Sequence, residues 1–133
     1  MHFMLDTDIC INLIRDRSVK LLRRLKRRRP EDVCVSAITV SELEYGVAKS
    51  SAPEKNRLAL AEFMIPIAVA PYDDNVAPHY GRIRAELEAQ GMPIGPLDTM
   101  IAAHAVALGV VLVTSNKREF RRVPDLRIEN WAK

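Results

Sequence analysis

Cysteine is almost missing from this chain of 133 residues: only Cys10 and Cys34 occur. No C-x-x-C or H-x-x-x-H pair is present, so the spacings that zinc sites use are lacking. Two such cysteines read as small apolar core residues in a reducing compartment. Aromatic residues make up only 5%, and Tyr45, Tyr72 and Tyr80 are the tyrosines. A surface built to stack unpaired bases is therefore not expected. No apolar run approaches the roughly 20 residues of a membrane span. Asp6 follows the first apolar residues too early for the apolar stretch of a signal peptide, which makes the cytoplasm the expected compartment. Repeats, low-complexity tracts and linkers are also lacking.

What is present fits an ordinary globular protein, with 48% apolar and 28% charged residues. The length suits one domain with one core, here residues 1–133. The net charge of +3 hides an asymmetry. Segment 15–29 holds nine Lys/Arg residues and one acid, Asp16, so it is +8 and the remainder is −5. A basic edge on a mildly acidic body is the expected distribution.

Strand-like and helix-like segments alternate. Phe3-Met4-Leu5 reads as a buried strand that ends at Asp6. Thr7 or Asp8 is expected to cap a helix carrying Ile9, Cys10, Leu13 and Ile14 at helical spacing. Residues 18–29 read as a second helix, with Val19, Leu21, Leu22 and Leu25 inward, stopped by Pro30. Val33-Cys34-Val35 is strand-like, and helices are predicted over 36–49 and from Pro53 to Met64. A short strand at 67–69, a long helix over 73–90 closed by Gly91, and a helix from Pro96 to Gly109 follow. Val110 to Val113 is the most continuous apolar strand. A turn or short helix over 116–120 and a final strand at 127–129 complete the plan. This alternation predicts an α/β fold with a short, mainly parallel central sheet flanked by helices. In such sheets, sites form beyond the carboxyl ends of the strands. Asp6 and Thr114-Ser115-Asn116 occupy two of those ends.

The acids worth weighing are Asp6, Glu42, Asp98 and Glu119. Each has a plain reading. Asp6 or Asp8 would serve as a cap, Glu42 and Glu119 as exposed helix residues, and Asp98 as a carboxylate favoured by the helix dipole in the turn after Pro96. The surrounding words add to this. Met4-Leu5-Asp6-Thr7-Asp8-Ile9-Cys10 resembles the opening of the PIN-domain family, where an apolar strand ends at an Asp. Ser36-Ala37-Ile38-Thr39-Val40-Ser41-Glu42-Leu43-Glu44-Tyr45-Gly46 resembles the family's second block, and Pro93-Ile94-Gly95-Pro96-Leu97-Asp98-Thr99-Met100-Ile101-Ala102-Ala103-His104-Ala105 its third. Val113-Thr114-Ser115-Asn116-Lys117-Arg118-Glu119-Phe120 and Ile128-Glu129-Asn130-Trp131 are similar to its last blocks. The likeness spans the chain and is nearest to the VapC-type toxins.

The resemblance implies that Asp6, Glu42 and Asp98 occupy the places of the three acids that define the family's metal site, with Asp6 and Asp98 as metal ligands. Many PIN domains have an Asp where this chain has Asn116. Glu119, one helical turn on, is the candidate for the missing carboxylate, and Asn116 the alternative. Asp8 stands where near relatives have Asn, and is read here as a cap. Carboxylates suit Mg²⁺, or Mn²⁺, which takes oxygen ligands and leaves positions for phosphate and water. Such an ion stabilises charge on the phosphate and lowers the pKa of bound water. Hydrolysis of that kind leaves a 5′-phosphate and a 3′-hydroxyl. His2, His79 and His104 read as structural or solvated. His104 lies six residues beyond Asp98, about 600° round the helix at roughly 100° per residue, and so not on its face.

The implied function is the toxin of a VapBC toxin–antitoxin pair, an endoribonuclease on structured RNA such as tRNA that arrests translation. A homodimer and a VapB-type antitoxin are the implied partners, with the antitoxin's C-terminal tail in the groove near the acids. Arg24, Arg27 and Arg28 are the candidate RNA contacts, against the plain reading of a solvated helix face. Arg118, Arg121 and Arg122 form a second basic patch. A PIN-like nuclease on DNA flaps and a non-catalytic RNA- or protein-binding module stay open as alternatives.

Overall fold

Strand β1 (Phe3–Leu5) runs down the middle of a five-stranded sheet. On one side lie β2 (Val33–Ser36) and β3 (Ala68–Ala70), on the other β4 (Val111–Val113) and β5 (Ile128–Glu129), giving the order β3-β2-β1-β4-β5. All four pairings are parallel. Parallel neighbours need long crossovers, which helices provide. These helices are α1 (Thr7–Ile14), α2 (Val19–Lys26), α3 (Ala37–Ala48), α4 (Pro53–Met64), α5 (Ala77–Ala89), α6 (Pro96–Leu108) and α7 (Lys117–Phe120). The computed structural model describes residues 1–15 and 18–133. Asp16 and Arg17 of the basic segment lie outside the described residues. Among the described residues, no helix is long and apolar enough to cross a membrane.

The period of two in a strand splits the core. Met4, Cys34 and Leu112 point to the face covered by α5 and α6, where they meet Ile83, Leu87 and Ile101. Leu5, Val33, Val35 and Val113 point to the opposite face, against Ile9, Leu13 and Leu21 of the early helices and Leu60 of α4. Burial on both faces explains why the central strands read as unbroken apolar runs. Trp131, fully buried, fills the second core from the chain's far end. Both cysteines are free and buried, as expected.

Several boundaries differ from the sequence reading. Of the caps the sequence offers for α1, Thr7, Asp8 and Asp6, the structure uses Asp6, whose carboxylate accepts the Ile9 amide at 2.9 Å. Only an extended residue just outside the helix aims its side chain at that amide, and Asp6 closes the strand in that conformation. Helix α2 ends at Lys26, before Pro30, because Arg29 is already extended, as the residue before proline prefers. Val19, expected inside, is 70% exposed at the start of α2. Helix α5 starts at Ala77 and not at residue 73. The Asp73 side chain takes the Asn75 amide at 3.0 Å, and this local turn replaces the first helical turn. Gly109, in the left-handed conformation with φ 69°, ends α6 where expected.

Candidate functional site

The register places the ends of β1 and β4 side by side, with Leu5 opposite Val113. Asp6 follows directly: its amide donates to the Val113 carbonyl at 3.0 Å. Its side chain is only 4% exposed. Burial lifts its pKa to about 6, while the Thr114 hydroxyl and the Ile9 amide draw it down and Asp8 and Asp98 push it up again. Asp98, in the first turn of α6, is likewise lifted to about 6. Burial is the largest cause, followed by the like charges of Glu42, Glu119 and Asp8. Acids from four separate elements thus act on one another at the carboxyl edge of the sheet, around Asp98.

Two of these carboxylates are held by neutral neighbours. Thr7 Oγ1 donates to Glu42 Oε1 at 2.6 Å, and also meets Thr39 Oγ1 at 3.3 Å. Thr39 lies one turn before Glu42 on α3, which directs both to α1. Asn116 Nδ2 donates to Glu119 Oε2 at 3.1 Å, and the Asn116 amide is fixed by Thr114 Oγ1 at 2.9 Å. Among the described residues, no Lys, Arg or His forms an ion pair with Asp6, Glu42, Asp98 or Glu119. A cluster of like charge, with Asp6 buried and Glu42, Asp98 and Glu119 half-buried, and without a counter-ion calls for a cation. The donors are oxygens, which suits a hard divalent ion. Among the described residues, however, no three His, Cys, Asp or Glu side chains are close enough to hold one as they stand. Thr7 and Asn116 keep two acids in place, and mutual repulsion opposes closer approach. The donor chemistry fits such an ion, and a bound ion would offset the repulsion.

Residues 3–126 match the PIN domain family. The chain belongs to the PIN-domain family. Over 132 residues it is 45% identical to the tRNA(fMet)-specific endonuclease VapC of Shigella flexneri, covering 99% of both chains. It superposes on the DNA-bound VapBC structure from Salmonella typhimurium with a TM-score of 0.94 and 45% identity, covering 98% of each chain. The VapBC2 structure from Rickettsia felis, bound to a DNA fragment from its promoter, gives 0.93 at 36% identity, over 98% of this chain and 99% of that one. The likeness to VapC ribonucleases therefore covers the whole fold.

In this PIN domain, Asp8 is exposed and does not cap; its charge instead raises the pKa of Asp6 and Asp98. Asn116 and Glu119, alternatives in the sequence, are hydrogen-bonded partners. His104 is structural: it is buried, with Nδ1 2.8 Å from Ser36 Oγ, and burial lowers its pKa. The basic candidates divide. Arg24 lies 3.7 Å from Glu129, and Arg28, though exposed like Arg27, sits 4.5 Å over the Phe3 ring. Arg118 and Arg121 are exposed beside Glu119. Sequence reasoning gave Thr7 only a capping role and placed Thr114 at a strand end without foreseeing that their hydroxyls bind Glu42, the Asn116 amide and Asp6. A groove of about 720 Å³ starts at Thr7, Asp8 and Glu42 and continues between α1, α3 and α4 past Ile11 and Val47 to Leu60.

Proposed function

We propose that this chain, one PIN domain over residues 1–133, is the toxin of a VapBC-type pair: an endoribonuclease dependent on Mg²⁺ or Mn²⁺ that hydrolyses phosphodiester bonds in structured RNA, tRNA first among them. The observation that supports it most is the set of Asp6, Glu42, Asp98 and Glu119 around one sheet edge with no cationic partner among the described residues. Asp6 and Asp98, with their raised pKa values, are the proposed metal ligands. When bound, the ion supplies positive charge to the scissile phosphate and makes a water more acidic. Glu42, fixed by Thr7, and Glu119, fixed by Asn116, are placed to accept protons from water or to orient it. Fixed acceptors are worth more than mobile ones because their ordering is complete before reaction.

The RNA-cutting activity and the tRNA substrate are read from the VapC relatives. The VapBC structures support a VapB-type antitoxin, for which the groove leading from Glu42 is the proposed seat of the C-terminal tail, and a homodimer is proposed with it. The test is cleavage of tRNA transcripts by the purified chain with Mg²⁺, with Mn²⁺ and with EDTA, with 5′ ends mapped. Cleavage at one or a few positions, leaving 5′-phosphates and abolished by EDTA, is expected. Cleavage that persists in EDTA, or of DNA flaps but not RNA, would defeat the reading.

A further inference from the structure

The tryptophan and the basic helix are joined in a way that sorts the cations of α2. Trp131, the single tryptophan, packs edge-on to Phe3 with ring centres 5.1 Å apart. Arg28 lies over both rings, 4.5 Å from Phe3 and 5.5 Å from Trp131, and Arg24 lies 5.7 Å from Trp131. Glu129 Oε1 accepts the Trp131 indole N–H at 2.9 Å and faces Arg24 at 3.7 Å. A guanidinium stacked on a ring keeps its in-plane donors but loses freedom of orientation. Arg24 lies in the last turn of α2 and Arg28 two residues past its end, and both turn to the Trp131 ring.

Lys20, Arg23 and Arg27 are all exposed, and among the described residues none of them stacks on a ring. None of them forms an ion pair among the described residues. The direction of α2 follows from its contacts. Arg28 meets Phe3 at the start of β1, and Arg24 meets Glu129 at the end of β5. The N-terminal half, with Lys20 and Arg23, therefore lies toward the carboxyl edge of the sheet. There the Glu129 carbonyl accepts the Thr114 amide at 2.9 Å, and Val113 accepts Asp6.

We propose that the basic segment divides by what it touches: Arg24 and Arg28 clasp it to Trp131 and Phe3, and this holds Lys20, Arg23 and Arg27, which have no such partner among the described residues, as a stripe for the phosphates of RNA that extends beyond the acid site. The proposal rests on the RNA-cutting reading above and names the surface that receives the substrate. A cationic stripe beside an acidic centre offsets the repulsion that centre exerts on nucleic acid.

The test uses a fluorescein-labelled tRNA transcript bound in EDTA, so that nothing is cut, over a salt series. Replacing Lys20, Arg23 and Arg27 together by Gln should lower the slope of log affinity against log salt by roughly 2 to 3, at about 0.7–0.9 per phosphate contact. Trp131 emission should not move. Arg24→Gln with Arg28→Gln should shift Trp131 emission and lower the melting temperature. Should that pair unfold, Arg28→Lys, which keeps charge and loses planar stacking, gives the same emission readout. A wild-type salt slope in the folded triple variant would overturn the stripe. Weakened antitoxin binding with an unchanged RNA slope would overturn it too, and assign these three cations to a protein partner. Unmoved emission in both clasp variants would overturn the clasp. Cleavage of the transcript with Mg²⁺ is scored separately. A flattened slope without wild-type cleavage removes the enzymatic reading alone, and cleavage with an unchanged slope removes the stripe alone.

Discussion

Thr7 and Glu42, thirty-five residues apart, meet through a hydrogen bond of 2.6 Å from the threonine hydroxyl to the glutamate carboxylate. Thr7 is the first residue of α1 and directly follows Asp6, so one strand end sets both an acid and the group that orients another. The carboxylate would otherwise turn away from its negative neighbours.

Thr7→Val keeps the shape and removes the donor. A hydrogen bond to a charged group contributes about 1.5–3 kcal/mol, so kcat on a tRNA transcript should fall roughly 10- to 100-fold with the fold intact. Thr7→Ser should restore most of the rate. A valine variant as fast as wild type would mean that Glu42 needs no orienting.

Asp6→Asn should make the metal-free protein more stable near neutral pH while removing most of its nuclease activity. Asn caps a helix about as well as Asp, so α1 keeps its first turn. The sign follows from the raised pKa of about 6, above the ordinary 3.8. Native protein binds this proton more tightly than unfolded chain does. The favourable contribution is complete below about pH 4 and is lost as pH rises through 6. Wild type should therefore lose stability over that window, by at most about 3 kcal/mol for Asp6, and the variant should lose less, keeping the part that Asp98 contributes. Urea melts in EDTA at several pH values measure this; parallel pH profiles for the two proteins would refute it.

The same protons compete with metal. Asp6 and Asp98 are both lifted to about 6. The Mn²⁺ concentration needed for half-saturation should rise as pH falls from about 7 to about 5, by roughly tenfold for each carboxylate that must ionise. Calorimetric titration reads this without any catalysis. A midpoint that stays level over that range would mean that neither Asp is a ligand.

Parts of this site were legible in the chain and parts were not, for physical reasons. Asp6 and Asp98 stand beside periodic apolar segments, and period locates strand and helix ends. The cap reading of Asp6 holds in the structure, where its carboxylate accepts the Ile9 amide, and the same carboxylate lies near enough to Asp8 and Asp98 for their charges to raise its pKa. The bond from Thr7 to Glu42 joins segments that only the closed sheet brings together, and nothing local marks it. Arg24 and Arg28 looked like the rest of a basic run because their partners, Phe3, Glu129 and Trp131, come from the two chain ends. The start of α5 was misplaced because Asp73 prefers its own local turn to a helical one.

The pairing of Asn116 with Glu119 yields the last prediction. Many PIN domains place a carboxylate where Asn116 stands, and here an amide donates to the acid one turn later. The charge thus resides on Glu119, which adds to the field on Asp98, whereas Asn116 is absent from that field. Glu119→Gln removes the charge and should lower kcat strongly, about tenfold or more if it costs a charge-assisted contact of roughly 1.5 kcal/mol or more. Asn116→Ala removes only the tether and should cost less, roughly threefold to tenfold for a hydrogen bond of about 1 kcal/mol. Combining the two should cost little more than Glu119→Gln alone, since a tether has no effect once the carboxylate it holds is gone. Single-turnover cleavage of a tRNA transcript by the four proteins measures all of this. Additive losses would show that Asn116 acts on its own, and a larger loss from Asn116→Ala than from Glu119→Gln would transfer the fourth role to Asn116.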